Sequence, residues 1–148
     1  MTRLLLAVAL GVVLIDLAQS EGKVAAKAER TAPMIGHMVY FKLKDGSPEA
    51  RKKFVASCDK YLSAHDGTVF YSAGTLSDAF KGEANDREWD VALHVVFADK
   101  AAHDKYQIHP DHKKFVSENK AAMEKVRVFD SELGGAKVGK PTAPVGSP

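Results

Sequence analysis

The sequence predicts an α+β sandwich in which two βαβ halves build a four-stranded antiparallel sheet with the helices on one face. Three observations predict it. Runs rich in β-branched and aromatic residues stand at Ile35–Lys44, Thr68–Thr75, Glu88–Phe97 and Arg127–Ser131. Helix-start signals followed by apolar residues at helical spacing fill the first and third gaps, and a polar loop fills the second. The 148 residues, 45% hydrophobic and 27% charged, are apolar enough for one packed domain and too apolar for a disordered chain.

In Ile35–Lys44, Ile35, His37, Val39, Phe41 and Leu43 face one way, and Gly36, Met38, Tyr40 and Lys42 the other. Both sets hold large side chains, so this strand is covered on both faces. Asp45-Gly46 ends it, and Ser47-Pro48-Glu49 opens a helix. Serine caps, proline suits the first helical position, and glutamate suits the positive end of the dipole. Phe54, Cys58, Tyr61 and Leu62 carry that helix to about Ala64. After the turn at His65-Asp66-Gly67 comes the second strand, then a polar loop over 77–86. The third strand places Trp89, Val91, Leu93, Val95 and Phe97 on the core face, with Asp90, Ala92, His94 and Val96 opposite. Asp99 caps a helix to about Gln107, and Pro110 restarts it as a segment carrying Phe115, Ala122, Met123 and Val126. Arg127–Ser131 closes the β-α-β-β-α-β order, which is the ferredoxin-like plan.

That plan leaves one sheet face bare. Met38, Tyr40, Phe70 or its neighbour Tyr71, Ala92, His94 and Val96 would lie on it, a patch too apolar for water. A homodimer that presses two such faces together into a dimeric α/β barrel is the expected solution.

The ends lie outside the domain at 34–133. Arg3, the twelve-residue apolar run Leu4–Ile15, and Ala18 and Ser20 read as a signal peptide over 1–20 cut after Ser20. Secretion or a periplasmic location is the expected consequence. The run is too short for a stable membrane span, though Asp16 at its end leaves open an uncut anchor. Residues 21–33 read as a flexible linker. The tail 134–148 holds three Pro, four Gly and no large side chain, so it reads as disordered. Lys and Arg number 21 against 19 Asp and Glu, and the basic residues are scattered, which argues against a nucleic-acid partner. The one cysteine, Cys58, excludes a disulfide framework and a multi-cysteine metal centre.

Several of these segments resemble the stress-responsive dimeric α/β-barrel (Dabb) family. The resemblance is carried by His37-Met-Val-Tyr-Phe-Lys-Leu-Lys44 with Asp45-Gly46, by Gly74, by Tyr106-Gln-Ile-His109-Pro110-Asp-His112, and by Val128-Phe129-Asp130. It implies the fold and the dimer derived above. One type of member, a plant polyketide cyclase, closes a ring by intramolecular aldol condensation without a cofactor. The resemblance assigns its catalytic tyrosine and histidine to Tyr106 and His112, and its pocket histidine to His37. A further cyclase histidine corresponds to Val91, so this chain departs from the pattern there.

The residues' own chemistry agrees with that assignment. A residue before proline is pushed out of the helical region, so the helix breaks at His109 and His112 falls in the first turn beyond it. The exposed amides and positive dipole end there disfavour an imidazolium, leaving a neutral general base. A tyrosine hydroxyl beside it can polarise a carbonyl while the imidazole removes an α-proton, as enolisation, aldol closure or isomerisation requires. Val39, Phe41, Phe54, Cys58, Leu93, Phe115 and Met123 would form an apolar wall, with His37 and His109 at its polar margin. The expected ligand is small and apolar or aromatic, and no cofactor is expected.

Blander readings use the same residues. Tyr106 can be a core residue with a satisfied hydroxyl, His109 and His112 can cap a kinked helix, and His37 can be a hydrogen-bonded strand histidine. A non-catalytic binding or structural module follows from those. Cys58 reads as inert core, Trp89 as strand-face core, and His94 as dimer packing; His65 and His103 read as surface residues. His109-x-x-His112 with Asp111, joined by His37 or His103, would offer metal ligands, but the break at Pro110 spoils the pair's helical geometry, so no metal is expected.

Overall fold

The computed structural model describes residues 32–134. The expected signal segment, nearly all of the linker and the tail beyond residue 134 lie outside the described residues. In chain order the elements are β1 (Met34–Leu43), α1 (Pro48–Leu62), β2 (Thr68–Thr75), β3 (Val91–Phe97), α2 (Lys100–Ile108), α3 (Pro110–Asn119) and β4 (Met123–Leu133). The sheet runs β2-β3-β1-β4 with every pair antiparallel, so β1 is central and hydrogen-bonded on both sides. This is the ferredoxin-like plan, with the second helix divided in two.

Alternation along β1 decides what lies where. His37, Val39, Phe41 and Leu43 are buried beneath the helices, while Met38 and Tyr40 point to the opposite face. Leu93, Val95 and Phe97 of β3 join the core side. Phe41, Phe54 and Phe115 lock α1 and α3 to the sheet through ring contacts of 4.9, 5.6 and 6.0 Å. Ser47 caps α1 by accepting from the Ala50 amide, and Asp99 caps α2 by accepting from the Ala102 amide. Gly67, at φ +82°, turns the chain into β2 where a Cβ would lie 2.4 Å from the Ala102 side chain, so glycine is required there.

Four expectations are corrected, the starts of the last two strands and the surroundings of Trp89 and Asp90, and the choice between Phe70 and Tyr71 is decided. The last strand begins at Met123, so Met123 and Val126 belong to β4 and not to the preceding helix. The Asn119 side chain ends α3 by donating to the Phe115 carbonyl and Ser57, and the Lys44 amide then holds the turn at the Ala122 carbonyl, in step with β1. β3 begins at Val91. Upstream, Arg87 donates to the Ser77 and Phe80 carbonyls and the Trp89 indole donates to the Asp86 carbonyl, which curls the chain out of the ladder. Trp89 therefore packs on Tyr40, on the open face, at 5.2 Å. Between Phe70 and Tyr71, Phe70 takes the open face at 52% exposed. Tyr71 turns to the helix side, where its hydroxyl donates to Asp59.

Asp90, expected on the open face, is fully buried at the end of β1. Its carboxylate accepts from the Leu43 amide (2.9 Å) and from Arg51 (2.6 Å), and lies 3.2 Å from the Lys42 ammonium. Burial alone would raise its pKa, but the amide and the two cations overcome that and hold it below the ordinary carboxylate value. One carboxylate thus ties together α1, the end of β1 and the entry to β3. Replacing Asp90 with alanine leaves Arg51, Lys42 and the Leu43 amide without their shared acceptor. The expected cost is about 2–4 kcal/mol, read as a lower urea midpoint at unchanged slope.

Candidate active site

A cavity of about 300 Å³ opens between the helices and the β1–β4 half of the sheet. Its floor is Val39 and Phe41 from β1, Leu93 from β3, and Met123, Val126 and Val128 from β4. Leu62, Phe115 and Val116 close it from the helices. His37, Tyr106, Gln107 and His112 form its one polar end.

The helix break builds that end. His109 adopts φ −61° and ψ 140°, outside the helical region, as the following proline demands. Its amide donates to the Tyr106 carbonyl, ending α2, and its Nδ1 accepts from the Asp111 amide, starting α3. Tyr106 is thereby held in the last turn of α2 and His112 in the first turn of α3. Their rings lie 4.7 Å apart, inclined by 60°. Tyr106 is 2% exposed, and burial pushes its phenol pKa up, so it is a proton donor at neutral pH. Burial is also the first cause that lowers the His112 pKa, followed by the nearby His37 and His65, while a backbone hydrogen bond at Gln107 works the other way. The lowered value agrees with the direction expected at a helix start, and burial is its first cause.

Of the residues expected in the site, Tyr106, His112, His37, Val39, Phe41, Leu93, Phe115 and Met123 do line the cavity. Phe54, Cys58 and His109 do not. Phe54 lies behind Phe41 and Phe115 in the three-ring cluster. Cys58 is fully enclosed, and burial raises its thiol to about 12, which removes it as a nucleophile. His109 is exposed, occupied by its cap, and stacked edge-on against His65 at 4.5 Å. Among the described residues, the side chains close enough to hold a metal ion together are His37, His103 and Asp130, and neither His109 nor His112 is among them.

His65 and His103 are not surface residues. His65 meets Tyr106 edge-on at 4.9 Å, and His103 meets His37 at 5.3 Å. With His37 lying 5.8 Å from Tyr106, five of the six histidines form one network of ring contacts around this tyrosine. On the sheet side, Asp130 pairs in register with His37, and its carboxylate accepts from His37 Nδ1 at 2.6 Å. A carboxylate takes no proton-bearing role here, so Nδ1 carries the hydrogen and Nε2 is the free nitrogen of the neutral ring. Burial leads in lowering the His37 pKa, and Asp130 opposes it. Two of these neighbours had signals in the sequence. His103 stands three residues before Tyr106 on one helix face, and Asp130 is two residues from Val128 on one strand face.

The family description "Stress responsive A/B Barrel Domain" (Dabb) matches residues 35–133. A Dabb family protein with a ferredoxin-like fold from Mesorhizobium loti superposes with a TM-score of 0.57 at 30% identity, covering 70% of this chain and 99% of that one. A dimeric ferredoxin-like protein of unknown function from Thermobifida fusca (TM-score 0.58, 19% identity, 72% and 96% covered) has the same fold. So does the hydroxynitrile lyase from Passiflora edulis (TM-score 0.57, 18% identity, 72% and 98% covered). Among curated proteins none matches the chain. Together the matched residues and the Mesorhizobium relative place the chain in the stress responsive A/B barrel (Dabb) domain family.

Proposed function

We propose that this protein is a homodimeric proton-transfer catalyst of the aldol cyclase or isomerase type, acting on a small apolar or aromatic carbonyl compound. The observation that carries the proposal is the 4.7 Å approach of a buried phenol and an imidazole held neutral by burial, at the polar end of an otherwise apolar cavity. About 300 Å³ is at the small end of ligand pockets and suits one ring with a short chain.

In this mechanism neutral His112 removes a proton from the carbon next to the carbonyl, and the Tyr106 hydroxyl donates to the carbonyl oxygen where negative charge collects. The resulting enolate either takes the proton back at another carbon, which is isomerisation, or attacks a second carbonyl in the same molecule, which closes a ring. In the second case the new alkoxide takes the proton from His112, which is neutral again. The step needs no cofactor, and the apolar walls keep water from quenching the enolate.

The dimer is part of the same proposal. Met38, Tyr40, Phe70, Phe129 and Trp89 gather on the open face, with Phe70 and Phe129 more than half exposed. A second copy covering that face fits the size and apolar character of the patch. Export through residues 1–20 belongs to this reading as well, on the strength of Arg3 and the Leu4–Ile15 run. Among the described residues no helix is long and apolar enough to cross a membrane.

Exchange of α-protons of aryl methyl ketones in D2O, followed by proton NMR, tests the chemistry without knowing the natural substrate. Tyr106→Phe and His112→Asn are each expected to slow exchange by roughly a hundredfold or more, with the circular dichroism spectrum unchanged. Ketone binding with no exchange in the unaltered protein would instead establish a binding module. The His112 pKa lies below 6.5, so the neutral base prevails above it. The rate should fall as acid protonates His112 and stay flat from about pH 7 to 9. For the assembly, Phe129→Glu puts a charge on the open face, and sedimentation is expected to shift from two chains to one.

A further inference from the structure

Beside the cavity, and independent of the Tyr106–His112 reading, His37, His103 and Asp130 bring three ligand-type atoms within 4.8 Å of one another. We propose that this trio is a binding site for a divalent transition-metal ion of borderline softness, such as Zn2+, carried on the flank of the pocket. Two imidazoles and one carboxylate are a donor set that such ions take, and three protein ligands leave a position open.

The protonation pattern favours a cation at this point. The Asp130 carboxylate bears only lone pairs. His103 Nε2 lies 3.1 Å from the Gln107 amide nitrogen, which can only donate, so that ring nitrogen carries a lone pair too. Its other nitrogen, Nδ1, stands 3.4 Å from the Asp104 carboxylate, the partner that fixes this tautomer and supports metal-bound histidines elsewhere. His103 Nε2 and Asp130 Oδ1 therefore face each other as two acceptors 3.9 Å apart. The third member, His37 Nδ1, is 2.6 Å from the same Asp130 oxygen with a proton between them.

Donor atoms on a tetrahedral ion with bonds near 2.0–2.1 Å stand about 3.3 Å apart, so the short separation must open and the long one close. Asp130 can supply that movement, because its side chain is half exposed on the edge strand β4 while His37 is nearly fully buried. The ion takes the place of the His37 Nδ1 proton. That proton moves to Nε2 of the same ring, so the neutral imidazole remains neutral. Gln107 gives up its contact with His103. Access is from the Asp130 side, where solvent reaches the carboxylate.

Removing metal from the full chain with a chelator and titrating Zn2+ by calorimetry tests the site, with Co2+ as a second probe whose visible bands report coordination by nitrogen and oxygen. One ion per chain is expected. Asp130→Asn and His103→Ala are each expected to weaken binding at least tenfold and to remove the Co2+ bands. His109→Ala, which removes an exposed histidine outside the trio, is expected to change neither. Circular dichroism checks the fold of each variant, and Asp130→Asn, an isosteric change at a half-exposed site, keeps the test valid should His103→Ala not fold. The proposal is overturned if the unaltered chain binds no Zn2+, if Asp130→Asn binds as tightly as the unaltered chain, or if His109→Ala weakens binding as much. Because none of these three residues is the proposed acid or base, loss of metal binding and loss of ketone exchange are read separately.

Discussion

Proline 110 has no amide hydrogen and its ring forbids helical geometry at the residue before it. α2 therefore stops at Ile108, His109 extends, and α3 sets off in a new direction. An unbroken helix would carry Tyr106 and His112, six residues apart, on largely different faces. The break brings both to the same cavity, and His109 satisfies the backbone groups that the break exposes, with its amide on one side and its ring nitrogen on the other. The position of the phenol and the imidazole follows from that single interruption.

What surrounds the break sets the charge. Tyr106 sits among histidine rings, with His37, His65 and His112 each meeting it edge-on. Desolvation is the leading influence on His37, Tyr106 and His112 alike, and in each it favours the uncharged form. His37 and His112, kept neutral by burial, can each accept a proton at ordinary pH. Among the described residues, the carboxylate of Asp130 is the one formal charge in contact with the cluster on its sheet side, and it is half exposed.

Sequence reasoning reached the sheet, the helix starts, the loop and the break, because each depends on local signals: alternation in β1, Ser47-Pro48 at α1, Asp99 at α2, Pro110 at α3. It failed where tertiary contacts overrode local pattern. Met123 and Val126 have helical spacing with Phe115, yet β1 offers a full ladder of backbone partners and draws them into β4. Asp90 alternates as a solvent-facing residue, but Arg51 and Lys42, distant in the chain or across the strand end, convert it into a buried clamp. The site was legible as far as its helix-borne pair and most of its floor. Phe54 and Cys58 share the apolar face that suggested the wall, and only three-dimensional packing separates residues that line a void from those a layer behind. His65 entered the cluster through long-range packing that single-segment patterns do not encode.

The cavity floor ends on β4, which has no further strand beyond it, and its valines Val126 and Val128 are 43% and 49% exposed although they face the helix side. If the cavity takes a ligand as proposed, that molecule would enter at this sheet margin, past the side chains of Val126 and Val128. Selectivity in the proposed function would then be graded by side-chain bulk at these two strand positions. Altering those two valines would retune what the proposed pocket admits, leaving the loops, Tyr106 and His112 as they are.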